Sequence, residues 1–205
     1  MYLVKSPSLL KWYYPSLTWN KSRAHKVIYL TFDDGPIPDV TAFALKTLKS
    51  FDAKATFFCI GDNIRKHPEL FDALKEEGHS IGNHTFNHLK GWATPDESYL
   101  ENFIQCQELT KTSLFRPPYG RIRKTQIKAL RNLQPDLQIV MWDVITGDFD
   151  PNLSPETCYR NAIKHTTNGS IVVFHDSLKA FDRLEYALPR FLQHFTDKGF
   201  TFSTL

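Results

Sequence analysis

The 205-residue sequence predicts an α/β fold, a distorted (β/α) barrel of about seven strands. Three observations lead there. Short apolar or β-rich runs recur at 27–32, 55–60, 79–82, 114–116, 138–144, 170–174 and 200–202. Most are separated by stretches with apolar residues at three- and four-residue spacing, the pattern of helices with one buried face. The runs also stop repeatedly at Asp, Asn, His or Arg, and parallel β/α architectures collect function at the carboxyl ends of their strands. Repeated β/α units imply parallel strands, and about seven suit a closed or nearly closed barrel better than a flat sheet.

The first run, Val27, Ile28, Tyr29, Leu30, Thr31 and Phe32, ends at Asp33-Asp34 before Gly35-Pro36. A helix follows at 39–51, with Phe43, Leu45, Leu48 and Phe51 on one face and Asp39 expected as its N-cap. Phe57-Phe58 in the second run reads as a strand buried on both faces. The helix at 68–77 stops before Gly78, and the third run leads into Asn83-His84. Thr94-Pro95 and Ser154-Pro155 offer a capping hydroxyl before a proline for the helices at 96–109 and 155–165. The fourth run ends in Arg116-Pro117-Pro118-Tyr119, and after a helix at 124–133 the fifth leads to Asp143 and Asp148. The sixth ends in His175-Asp176. A last helix at 184–198, with Leu188, Phe191, Leu192 and Phe195 in register, stops before Gly199 and the seventh run. Residues 1–25, with Trp12, Tyr13, Tyr14 and Trp19, are expected to pack as an irregular flap across the bottom or side.

Composition narrows the function. At 41% hydrophobic residues the chain can build one substantial core, and a net charge of +3 without a basic stripe gives a nucleic-acid partner no support. The three cysteines, Cys59, Cys106 and Cys158, lack CxxC spacing and read as buried reduced thiols. No run reaches the roughly 18 apolar residues of a spanning helix, and no leader is visible near the start. A cytoplasmic protein is the default expectation, extracellular or periplasmic if a leader has been removed. Oligomeric state is left open.

Two adjacent carboxylates at a strand end are costly to bury unless a cation or proton is shared there. His84 and His88 follow about fifty residues later, and an i, i+4 pair on one face of a helical turn suits a divalent metal. One carboxylate with two imidazoles leaves coordination positions open, a catalytic type of site. Successive side chains of a strand point to opposite sides, so Asp33 and Asp34 cannot both serve the metal in the same way. Zinc is the expected ion, and Co²⁺, Ni²⁺ or Fe²⁺ also suit these donors. His67, His79, His165 and His194 are expected to be surface or capping residues.

Thr31-Phe32-Asp33-Asp34-Gly35, His84-Thr85-Phe86-Asn87-His88, Arg116-Pro117-Pro118-Tyr119-Gly120, residues 142–148 and Val173-Phe174-His175 occur in one order. They resemble the five successive motifs of the polysaccharide deacetylases, the NodB-homology or carbohydrate esterase family 4 domain. The resemblance implies a catalytic domain over 26–205 that uses a divalent metal to remove N-acetyl groups from N-acetylglucosamine-containing glycan of peptidoglycan or chitin type. An O-acetyl esterase and a non-catalytic carbohydrate-binding protein are the alternatives. It implies Asp34, His84 and His88 as metal ligands, Asp33 as general base held by Arg116, and the Tyr119 backbone N–H as an oxyanion donor. His175 is the candidate acid for the leaving amine, with Asp148 nominated by the resemblance to raise its pKa. Pro118, Tyr119, Phe149 and Val173 make up the implied substrate pocket. Phe149 stands where the family has Trp and Val173 where it often has Leu, both apolar but smaller. Thr85 is expected either to steady the histidine loop or to be a plain turn hydroxyl.

Overall fold

The computed structural model describes residues 3–205. In chain order its elements are α1 (Ser8–Tyr13), β1 (Val27–Asp33), α2 (Val40–Ser50), β2 (Ala55–Cys59), α3 (Gly61–Lys66), α4 (Pro68–Glu76), β3 (Ser80–Asn83) and α5 (Asp96–Thr110). They continue with β4 (Leu114–Phe115), α6 (Lys124–Leu133), β5 (Gln138–Ile139), β6 (Val144–Ile145), α7 (Pro155–His165), β7 (Ile171–His175), α8 (Phe181–Thr196) and β8 (Thr201–Phe202). Seven parallel strands run in the order β5-β4-β3-β2-β1-β7-β6, and β8 pairs with the start of β1. This is the distorted barrel the sequence predicts, curled but open between β5 and β6.

Strand alternation sorts the side chains. Ile28, Leu30 and Phe32 of β1 join Ala55 and Phe57 of β2 in the large core beneath α2, α7 and α8, where the Phe32 and Phe57 rings stack at 4.7 Å. The intervening residues face the barrel interior: Phe58 clusters there with Leu114, Val140 and Ile171. Thr31, Asp33 and Arg116 share that interior, with the Arg116 guanidinium 4.1 Å above the Phe58 ring. Period-2 alternation thus delivers Asp33, not Phe32, to the lumen. A third group of apolar residues, including Tyr99, Phe103, Phe115 and Leu130, packs α5 and α6 onto β4.

The run at 138–144 does not form one strand. It breaks into β5 and β6 because the N-terminal segment takes its hydrogen bonds: Thr18 bridges Val140 in parallel, Met141 N–H donates to Thr18 O, and Ile145 N–H donates to Val4 O. Residues expected as an irregular flap therefore include a short helix and run along the open seam. Asp143 lies in this seam rather than at the functional rim. Its fully buried carboxylate meets Lys5 at 2.7 Å, Lys11 at 2.7 Å and Arg23 at 2.9 Å.

Helix ends differ from expectation at two caps. Ser154 accepts the Thr157 N–H with Pro155 in the first turn of α7. Thr94 instead donates to Lys90 O, and α5 begins one residue beyond Pro95. Asp39 sits at the N-cap position of α2 but at φ 65°, and its side chain makes no capping bond. His79 is buried and its Nδ1 accepts the Ala55 N–H, so it belongs to the core rather than the surface. All three cysteines are free and buried.

Candidate active site

Five strand ends of the barrel converge on one cluster. Asp33 closes β1 and lies in register with His175 at the end of β7. Beyond it the chain leaves strand geometry, because Asp34 adopts φ 85°. The two neighbouring carboxylates therefore diverge.

Asp34 turns its Oδ1 toward two imidazoles, 3.2 Å from His88 Nε2 and 3.8 Å from His84 Nε2. One donor atom from each of the three residues lies within 4.8 Å of the others. His84 and His88 meet through a loop, not a helical turn: Thr85 and His88 both have positive φ, 60° and 57°. Asn102 on α5 holds that loop by accepting from the Phe86 and Asn87 N–H groups at 3.0 and 2.9 Å. The Thr85 hydroxyl accepts the Leu89 N–H, which ties the loop's far end.

The protonation of these imidazoles suits them to a cation. Burial, then the neighbouring His88, hold the His84 pKa well below its ordinary value, so the ring is neutral. Its Nδ1–H donates to Arg116 O at 2.7 Å, which leaves Nε2 as the lone-pair atom facing Asp34. Burial also lowers the pKa of His88, against the pull of Asp34. Asp34 Oδ1 is buried and has no hydrogen-bond partner among the described residues. An orphaned carboxylate oxygen opposite two neutral imidazole nitrogens is a donor set for a metal ion.

Asp33 belongs to a different network. Its Oδ1 accepts from Arg116 Nη1 at 2.6 Å, and its Oδ2 faces His84 Nε2 at 4.0 Å. Arg116 is fully buried and donates further to Thr31 Oγ1, Met141 O and Val140 O. Burial lowers its pKa and Asp33 opposes that shift. A buried guanidinium tied by four hydrogen bonds offers Asp33 a charge that cannot move away.

Across the cluster His175 Nδ1 lies 2.7 Å from Asp148 Oδ1, and its backbone N–H donates to Asp148 Oδ2 at 2.6 Å. Burial alone would lower the His175 pKa, but the Asp148 charge and hydrogen bond outweigh it and lift the value to about 9. Arg183 on α8 donates from Nε to Asp148 O at 2.6 Å and steadies this pair. The Phe149 ring packs edge-on against His175 at 5.1 Å, and Val173 is wholly buried between β1 and β6. Tyr119, at φ 59° after the buried Pro118, lays its ring 4.6 Å from that of His88 and is 60% exposed. Beyond Tyr119 an apolar cavity of about 460 Å³ is lined by Leu10, Tyr14, Trp92 and Trp142.

These contacts gather Asp33, Asp34, His84, His88, Arg116, Tyr119, Asp148, Phe149 and His175 at the strand ends, while Asp143 lies away from the rim. Sequence reasoning did not single out Asn102, Asn63 or Arg183. Each acts from a helix through a backbone contact, as when Asn63 Nδ2 donates to Asp34 O at 2.7 Å, and such contacts leave no spacing signature.

Comparison with known proteins agrees with this geometry. Residues 20–137 match the family model described as polysaccharide deacetylase. The chain is 32% identical over 195 residues to a peptidoglycan-N-acetylglucosamine deacetylase of Bacillus cereus, covering 92% of this chain and 91% of that protein. It is 28% identical over 186 residues to the peptidoglycan-N-acetylmuramic acid deacetylase PdaC of Bacillus subtilis, of which it spans 38%. The crystal structure of the Bc1960 peptidoglycan N-acetylglucosamine deacetylase superposes with a TM-score of 0.88 at 29% identity, covering 98% of this chain and 95% of that one. The chain belongs to the polysaccharide deacetylase family, the NodB-homology or carbohydrate esterase family 4 group.

Proposed function

We propose that the protein is a metal-dependent hydrolase that removes N-acetyl groups from N-acetylglucosamine in peptidoglycan-type glycan, with Asp34, His84 and His88 holding one divalent ion, zinc as the expected one. The observation that carries this reading is the buried Asp34 Oδ1, without a hydrogen bond among the described residues, facing two neutral imidazoles, with an Arg116-held carboxylate beside it. When bound, the ion supplies a Lewis acid for the acetyl carbonyl and acidifies water, toward a pKa of about 7 for zinc.

The remaining chemistry lies with the chain. Asp33 is the base: its Oδ1 is committed to Arg116, and Oδ2 is left to take the proton of the attacking water. The oxyanion that forms when the acetyl carbonyl is attacked needs a preorganised donor, worth on the order of 3 kcal/mol, and the Tyr119 N–H would supply it. An amide nitrogen leaves only if protonated. His175, kept charged by Asp148 on its Nδ1 side, supplies that proton from Nε2. Phe149 and Val173 would flank the acetyl methyl. The aromatic faces of Tyr119 and Trp92 offer further surface to neighbouring sugars. A wall glycan as substrate would place the working enzyme outside the cytosol.

Acetate release from purified, zinc-loaded protein tests this. Peptidoglycan fragments and chitin oligomers should be hydrolysed faster than acetylated xylan, and activity should vanish with a chelator. Preference for xylan would favour the O-acetyl esterase, and sugar binding with no acetate from any substrate would leave a carbohydrate-binding protein.

A further inference from the structure

Asp176 follows His175 but serves another strand end. Its carboxyl group is buried, at 1% residue exposure, and burial pushes its pKa up to about 8. Burying such a group is costly unless its oxygens are satisfied. They are: Oδ1 accepts the Gly35 N–H at 3.0 Å, and Oδ2 accepts the Thr41 hydroxyl at 2.6 Å. Thr41 Oγ1 in turn accepts the Ile37 N–H at 2.8 Å, and Asp176 N–H donates to Asp33 O at 3.0 Å. Asp176 therefore grips the chain on both sides of Asp34.

That residue needs gripping. Asp34 holds a positive φ of 85°, a region that costs a non-glycine residue free energy and persists only where the surroundings over-determine it. Gly35 is fitted to the same brace, because a Cβ there would lie 1.9 Å from Asp176 Oδ2. On the opposite side Asn63 Nδ2 holds Asp34 O, and Ile60 N–H donates to Gly35 O. The strained turn is thus clamped between β7 and the start of α3, with the Asp34 side chain left to face the imidazoles.

We infer that Asp176 is a positioning residue for the metal centre: its buried carboxylate fixes the turn after β1 so that Asp34 meets His84 and His88 at a common point. This rests on the metal-site reading given above. A purely structural Asp176 would affect folding without changing the affinity of the folded protein for metal.

Zinc affinity, measured by competition with a chromophoric chelator, separates the two, with the melting temperature of the metal-free protein recorded alongside. Asp176→Ala should weaken zinc binding about 10- to 100-fold, the range typical for groups that orient ligands. Asp176→Asn keeps an oxygen for the Gly35 N–H and should recover most of the loss. A folded Asp176→Ala protein that binds zinc within about threefold of the native chain would overturn the inference, that being well short of the orienting-group range. If Asp176→Ala does not fold, Thr41→Val decides by the same criterion, since it frees Oδ2 and the Ile37 N–H but leaves the Asp176 bond to the Gly35 N–H in place. A native chain that binds no zinc would instead overturn the metal site itself, a different result from normal affinity in the variants.

Discussion

Asp33 and Asp34 are consecutive, yet they face different partners because the chain leaves the strand between them. Asp33 keeps the alternation of β1 and reaches Arg116, while Asp34 swings to the imidazoles. Asp33→Asn should therefore retain zinc and lose about 10²- to 10⁴-fold in kcat, the usual contribution of a positioned base. Metal analysis beside acetate release checks this, and near-native turnover would refute the assignment. The His175–Asp148 pair makes a pH prediction. Its folded pKa of about 9 lies above the ordinary value near 6.5, so its stabilisation is complete below about pH 6.5 and is lost as pH rises through 9. Asp148→Asn removes the attraction and leaves burial, which favours the neutral ring. The alkaline limb of the kcat/KM profile should then move down by about one pH unit or more. An unmoved limb would show that His175 is not the titrating acid.

At the scale of elements, the open seam between β5 and β6 is covered by the N-terminal segment, and one residue ties it down. Asp143 carries four donors, from Lys5, Lys11, Arg23 and Ser170. Burial works to raise its pKa, but these donors outweigh it and hold the carboxyl well below the usual carboxylate range. The stabilisation is present above the unfolded value near 3.9 and is lost on acidification through the depressed folded value. Asp143→Asn should cost about 2–3 kcal/mol, less than a wholly buried ion pair because the three cations are partly exposed and can reach water. The midpoint of urea unfolding measures it. The seam also explains the broken fifth strand: an apolar run in the sequence reports burial, not which neighbour supplies the hydrogen bonds. Ser154 capped its helix as its Ser-Pro pattern implies, whereas Asp39 did not, because the positive φ at that position turns the side chain from the helix end.

The whole molecule should feel its metal. An ion that binds only the folded state at about 100 times its dissociation constant stabilises by about 2.7 kcal/mol. For a chain of this size that raises the melting temperature by roughly 5–10 °C. Differential scanning calorimetry with zinc and then chelator tests this, and Asp34→Ala should abolish the shift. Sequence alone determined the α/β class and the approximate strands, because helix and strand periodicities are local. It also carried Asp34, His84, His88, Arg116, Asp148 and His175, since their residue types recur at strand ends in one order. Tertiary structure decided what depends on contacts between distant segments. It split Asp33 from Asp34 by a turn braced from Asp176, and brought the histidine pair together through a loop held by Asn102 rather than a helical turn. It also took Asp143 from the rim to the seam. Periodicity records which face of an element is buried, but partners 100 or more residues away are chosen only when the sheet curls and brings its ends together.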